Sequence, residues 1–225
     1  MCPFCYIGKR KFEAGLARFA HKDEVNIIWK SFQLQPDAQS EPGKSTVQHL
    51  AEAKGISVDE ARRMTDHVTS LAREVGLEYH MDNAVIANSF DAHRLIHLAH
   101  QHGLGNAAKE SLLRAYFTEG RDTADHATLQ ELGRSIGLDA AETAQMLASD
   151  QFAEAVDRDV YEARQVGVRG VPFFVINRKY AISGAQQPDT FLGALETARP
   201  EWSLANPVFT DLSTDGPVCA PGEVC

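Results

Sequence analysis

Cys2-Pro3-Phe4-Cys5-Tyr6-Ile7-Gly8-Lys9 is the stretch on which the fold turns. Its two cysteines are three positions apart, one helical turn, and Pro3 stands where a first-turn proline is tolerated because that N–H would have no intrahelical partner. Cys5, Phe12, Leu16 and Phe19 then recur on one stripe of a 3.6-residue period, so a helix is expected from about Pro3 to Phe19. At its start Cys2 would face unpaired N–H groups and the positive end of the helix dipole, both of which favour a thiolate. Phe4 adds neither charge nor hydrogen bond, so the helix terminus is expected to cause most of any fall in the Cys2 pKa. Spacing alone leaves three readings open: a redox dithiol with Cys2 as nucleophile and Cys5 as the resolving thiol, half of a zinc site, or a structural disulfide.

Working outward, Val25 to Leu34 (VNIIWKSFQL) is rich in β-branched and aromatic residues on both parities, which predicts a strand covered on both faces and ended by Pro36. From Pro42 to about Gly167 the pattern is helical. Ser57 with Glu60 forms a capping box, and Val58, Ala61, Met64, Val68, Leu71 and Val75 follow at helical spacing. Further apolar groups at Leu95/Ile96/Ala99, Leu112/Leu113/Tyr116/Phe117, Leu129/Leu132/Ile136 and Phe152/Val156/Val160/Ala163 bring the expectation to five or six helices in succession, an inserted helical subdomain rather than βαβ units. Strand character returns at Val171 to Ile176 and at Tyr180 to Ser183 around the turn Asn177-Arg178-Lys179, a β-hairpin. A last helix is expected to begin near Pro188, with Phe191, Leu192, Leu195 and Ala198 on one face, and Glu201 to Cys225 reads as an irregular tail.

The chain has 225 residues, 44% hydrophobic and 24% charged, and no stretch reaches the ~20 apolar residues of a membrane span. Its formal net charge of −9, with no basic stripe to offset it, argues against nucleic acid as a partner. No membrane association is expected either. There is no charged and apolar leader before Cys2, and a cytoplasmic location is the expectation.

The motifs Cys2-Pro3-Phe4-Cys5-Tyr6-Ile7-Gly8-Lys9, Asn88-Ser89-Phe90-Asp91-Ala92-His93-Arg94, Gly167-Val168-Arg169-Gly170-Val171-Pro172-Phe173-Phe174-Val175 and Ile182-Ser183-Gly184-Ala185-Gln186 resemble the DsbA family, specifically its FrnE-like branch. They run in family order across about residues 2 to 198. The resemblance implies an α/β thioredoxin-like fold with an all-helical insertion and protein thiol–disulfide oxidoreductase activity. Residues 1–41 and 168–200 would form the thioredoxin-like domain, 42–167 the insertion and 201–225 the tail. It also implies a departure: that fold carries a β-strand immediately before the CxxC motif, and here only Met1 precedes Cys2, so the first strand is expected to be missing from this chain.

By the same resemblance Val171-Pro172 matches a loop whose cis proline sits beside the active-site sulfurs and turns the Val171 backbone toward a bound peptide or thiol. The expected site is therefore Cys2 and Cys5 as catalytic pair, with Pro3, Phe4, Val171, Pro172, Asn88 and His93 lining the substrate groove. Protein or low-molecular-weight thiols and disulfides are the expected partners, and the expected cofactor is none beyond the redox-active disulfide, with glutathione a candidate co-substrate. Relatives resembling glutathione transferase kappa and hydroxychromene carboxylate isomerase suggest a competing reading, a glutathione-dependent isomerase or transferase on small aromatic or polyketide-like molecules. Those relatives usually present Ser where this chain has Cys2 and lack the second cysteine, which favours redox chemistry.

A second pair, Cys219 and Cys225, brackets Pro221-Gly222 in the tail; FrnE-like proteins can carry such a pair, and the expectation is an auxiliary redox dithiol, against a local disulfide or idle thiols. His93, His97 and His100 fall at i, i+4 and i+7 on an expected helix. Two or three imidazoles can bind a metal at that spacing, but no carboxylate completes a zincin motif, and no metal site is expected. Zinc-dependent binding or chaperoning would need metal in stoichiometric amount.

Overall fold

The computed structural model describes residues 1–39 and 43–206. Helix α1 (Pro3–Ala17) comes first, then a one-turn 3-10 helix at Lys22–Glu24. Seven helices follow: α2 (Thr46–Lys54), α3 (Val58–Glu74), α4 (Phe90–Gln101), α5 (Gly105–Phe117), α6 (His126–Ser135), α7 (Ala140–Leu147) and α8 (Ala153–Gln165). Strands β1 (Phe173–Ile176) and β2 (Tyr180–Ser183) then form an antiparallel hairpin, and α9 (Pro188–Ala205) closes the described chain. Seven helices stand where the periodicity gave five or six. Both α2 and α7 are short, and α7 is capped by Asp139, which accepts from the Glu142 N–H at 2.8 Å. The capping box at α3 forms in part, with the Glu60 N–H donating to Ser57 Oγ at 3.2 Å.

The helical half has its own interior. Leu95 and Leu98 of α4, Leu112 of α5, Leu129 of α6 and Met146 of α7 are each almost wholly buried and belong to one apolar cluster. A second cluster joins it to α1: Tyr6 and Ile7 pack with Leu113, Tyr116 and Phe117 of α5 and with Leu77 and Tyr79 after α3. Ion pairs reinforce that seam, since Glu110 of α5 is held by both Lys9 and Arg10 of α1 and accepts from Tyr6 Oη at 2.5 Å.

The other half packs α1 against α9 and the hairpin. Phe12, Phe174 and Phe191 meet edge-on or offset with ring centroids 4.7–5.7 Å apart. Gly15 permits the approach: a Cβ there would lie 2.6 Å from the Pro188 carbonyl oxygen. At the hairpin tip Asn177 and Arg178 both have positive φ, 51° and 55°, and the Lys179 N–H returns to the Ile176 carbonyl. That is the handedness a right-twisted hairpin needs.

Two expectations need correction. Val25 to Leu34 joins no β-ladder among the described residues, and the only described sheet is the two-stranded hairpin. The segment is not covered on both faces, because Ile28 and Leu34 are 54% and 53% exposed. With no strand beside it, its backbone finds other partners; the Ser31 N–H donates to Asp159 of α8 at 2.8 Å. The last helix also continues past residue 200, running through Pro200 to Ala205. Cys219 and Cys225 lie outside the described residues.

Candidate active site

The opening of α1 and the loop before β1 converge on the first cysteine pair. Cys2 is the N-cap of α1, with extended φ/ψ of −95°/120°, and Pro3 is its first helical residue. The Cys5 N–H donates to the Cys2 carbonyl at 3.1 Å, which closes the turn between them. Both thiols are free and half-buried. The Val171–Pro172 peptide bond is cis, and the Cys2 thiol donates to the Val171 carbonyl at 3.4 Å. Gly8 lets α1 come this close, because a Cβ there would stand 2.9 Å from Pro172 Cγ.

The two sulfurs are driven apart in acidity. Cys2 is brought down to about 7, first by the hydrogen bond its sulfur accepts from the Cys5 thiol, against the opposing effect of burial, and then by the N–H groups of Cys5 and Phe4 and the nearby terminal ammonium. The helix terminus contributes, but the largest cause is the neighbouring thiol. Spacing does not reveal that donor. Cys5 is pushed well above the ordinary thiol range, because the bond it donates and its burial both favour S–H over the anion.

A cavity of about 1580 Å³ opens beside the pair, bounded on one side by Val25–Leu34 and on the other by the hairpin. Pro3, Phe4, Val171, Pro172 and His93 all line it; Phe4 is 39% exposed at its rim. Tyr79 Oη donates to the Pro3 carbonyl at 2.7 Å and fixes the first turn from behind. His93 is buried, and burial followed by the charge of Lys109 takes its pKa down to about 3, so it is a neutral imidazole. Asn88 is not among the cavity residues. Its amide donates to the carbonyls of Pro36 at 2.8 Å and Ala38 at 3.1 Å, and its Oδ1 accepts the Phe90 N–H, so it ties the loop at 36–38 to the start of α4.

Two groups here escaped the sequence reading. Asp159, 3% exposed, accepts from Lys30, the Ser31 N–H and His97 Nε2, and is held down to about 2: burial opposes this, but the bonds from His97, Lys30 and Ser31 prevail. Ser31 Oγ contacts the same His97 Nε2 at 3.2 Å. A Ser–His–carboxylate relay needs both ring nitrogens, one toward each partner, so this cluster is an anchor for the 25–34 segment rather than a nucleophile. Lys109 of α5 also lines the cavity, and its place on the Leu112/Leu113/Tyr116 stripe was the available signal. His93, His97 and His100 share α4, yet among the described residues no group of three or more His, Cys, Asp or Glu is gathered to hold a metal.

A probable DsbA oxidoreductase from Streptomyces coelicolor superposes with a TM-score of 0.83 at 36% identity, covering 98% of this chain and 95% of that one. Two more distant structures share the fold: the cytosolic disulfide reductase DsbM from Pseudomonas aeruginosa (19% identity, TM-score 0.62, 89% of this chain and 95% of that one) and a 2-hydroxychromene-2-carboxylate isomerase (16%, 0.59, 91% and 93%). The family model of the DSBA-like thioredoxin domain matches residues 1–196, nearly everything from the first cysteine to the last helix, and the chain belongs to that family.

Proposed function

We propose that the protein is a thiol–disulfide oxidoreductase that works through Cys2 and Cys5 by way of a mixed disulfide. The observation that carries this reading is the geometry of two free thiols one turn apart at the opening of α1, the first in contact with the carbonyl of the cis Val171–Pro172 bond; it holds Cys2 near 7 and Cys5 far above it. In the reducing direction the Cys2 thiolate attacks one sulfur of a substrate disulfide, a Cys2–substrate S–S bond forms, and the other substrate sulfur leaves as a thiolate. Cys5 then loses its proton and attacks Cys2; the Cys2–Cys5 bond forms, the second substrate sulfur leaves, and two electrons have passed to the substrate. The same steps reversed oxidise a substrate dithiol. Exogenous thiol such as glutathione returns the enzyme to the dithiol.

Val171 and Pro172 sit where a substrate backbone would pass the Cys2 sulfur, and Phe4 offers it an exposed apolar contact. Peptide or low-molecular-weight thiols are the substrates in this reading, with His93 at the groove wall. Asn88 acts on the groove at one remove, through the loop it ties down. The four quoted motifs support assignment to the FrnE-like branch, and the tail pair Cys219/Cys225 is proposed as an auxiliary dithiol that exchanges with the first. A cytoplasmic setting belongs to the proposal: one fold neighbour is a cytosolic disulfide reductase, and no helix among the described residues is long and apolar enough to cross a membrane.

Insulin reduction in a glutathione buffer tests the reading. Cys2→Ser is expected to fall to background and Cys5→Ser to accumulate a mixed disulfide visible by mass spectrometry. Full turnover by Cys2→Ser would refute it.

A further inference from the structure

The resolving step needs a base. Cys5 is half-buried, its thiol is held in the S–H form, and it must lose that proton to attack Cys2. The carboxylates of Glu13 and Glu110 are engaged by Lys9 and Arg10, and that of Asp159 by Lys30 and His97. His93 faces the same cavity but is neutral and strongly resists protonation.

Lys109 is different. It stands half-buried on α5, lines the cavity together with Cys2 and Cys5, and lies within electrostatic reach of both sulfurs. Its Nζ sits over the Trp29 ring, 5.8 Å from the centroid, and Trp29 is itself fixed by a bond from Nε1 to Asn106 Oδ1 at 3.2 Å. Among the described residues no carboxylate pairs with it, although its neighbour Glu110 collects two cations. An amino group that no carboxylate pairs with among the described residues, in the wall of the cavity that the dithiol also lines, is arranged to take up and return a proton.

We propose that Lys109 accepts the Cys5 proton as the mixed disulfide resolves; the inference rests on the dithiol reading above. Burial brings the Lys109 amino group below its ordinary pKa and favours the amine, whereas the negative charge of the resting dithiol, with Cys2 as thiolate, favours the ammonium. Capture of Cys2 by substrate removes that negative charge. Lys109 then gives its proton to solvent through the open cavity and stands as an amine when Cys5 must ionise. The Cys5 proton passes to Nζ, the Cys5–Cys2 bond forms as the Cys2–substrate bond breaks, and the departing substrate sulfur keeps the electron pair and takes the proton from the ammonium. The other ionisable groups that face Lys109 are the Met1 amino group, Lys9 of α1 and His93 of α4. Both cationic groups oppose a charge on Lys109, and His93 is neutral.

The test is a single turnover of the reduced full chain with oxidised glutathione, acid-quenched and read by mass spectrometry from pH 6 to 10, for the wild type, Lys109→Met and Lys109→Arg. Circular dichroism reports that each variant is folded; attack on Cys2 should slow by a few-fold at most in Lys109→Met, which loses a nearby positive charge, and change little in Lys109→Arg, which keeps it. The Cys2–glutathione intermediate should live about a hundredfold longer near neutral pH in both variants, the range of general-base assistance, and the gap should close at high pH as hydroxide takes over. Arginine keeps the charge but cannot accept the proton. Wild-type resolution by Lys109→Arg, or an unchanged intermediate lifetime in Lys109→Met at every pH, would overturn the proposal. A wild-type protein that forms no glutathione adduct on Cys2 would instead overturn the dithiol reading on which it stands.

Discussion

The two halves of the molecule solve the same packing problem unequally. Around α4–α7, leucines and a methionine fill a closed interior, and the buried Arg94 is satisfied by the carbonyls of Met146, Ser149 and Gln151 and by Asp91. Around the hairpin, the sheet has two strands, the 25–34 segment joins no ladder among the described residues, and apolar side chains such as Ile28 and Val175 stand open. The dithiol sits on the seam between them, its helix anchored by the closed half and its sulfur facing the open one. Rigidity on one side and access on the other are what a nucleophile needs when it must hold its geometry and still meet a bulky disulfide.

Substitutions that act on one side and spare the other would sharpen this contrast. Leu129→Ala removes a fully buried side chain from the closed half and should cost about 2–5 kcal/mol in urea unfolding, while the pH at which Cys2 becomes reactive stays where it is. A shift of that pH would break the separation. Gly8→Ala acts at the seam. The added methyl meets the Pro172 ring, overpacking of about 1–3 kcal/mol is partly offset by about 1 kcal/mol of helix propensity, and the net loss of stability should be no more than about 2 kcal/mol. Turnover with insulin should fall by more than that loss accounts for, because the Pro172 loop is displaced from Cys2. Unchanged turnover would mean that loop position matters little.

The sequence read best where a local rule acts alone. The Ser57 cap, the proline opening α1, the hairpin around Asn177 and the stripes of α4 and α5 all follow from neighbours a few residues apart. Much of the fold came from such signals, and the DSBA-like thioredoxin class matches the family found. It read poorly where a residue's state depends on a distant partner. A ladder requires a second strand, so the β-branched run at 25–34 could not disclose that it has none. Neither the bond from Cys5 to Cys2 as the main cause of acidity nor the lack, among the described residues, of a carboxylate paired with Lys109 is a matter of spacing. Asn88 and His93 come from one motif, yet one faces the cavity and the other a loop.

The account stands most directly on the ionisation of Cys2, measured as its alkylation rate against pH in the reduced protein, beside Cys5→Ala. The wild type should titrate with a midpoint of about 7. In Cys5→Ala, which removes the thiol donor but keeps the amide groups of the helix start, the midpoint should climb by about one pH unit or more, equivalent to roughly 1.4 kcal/mol. A wild-type midpoint in the ordinary thiol range, or the same midpoint in both proteins, would contradict it.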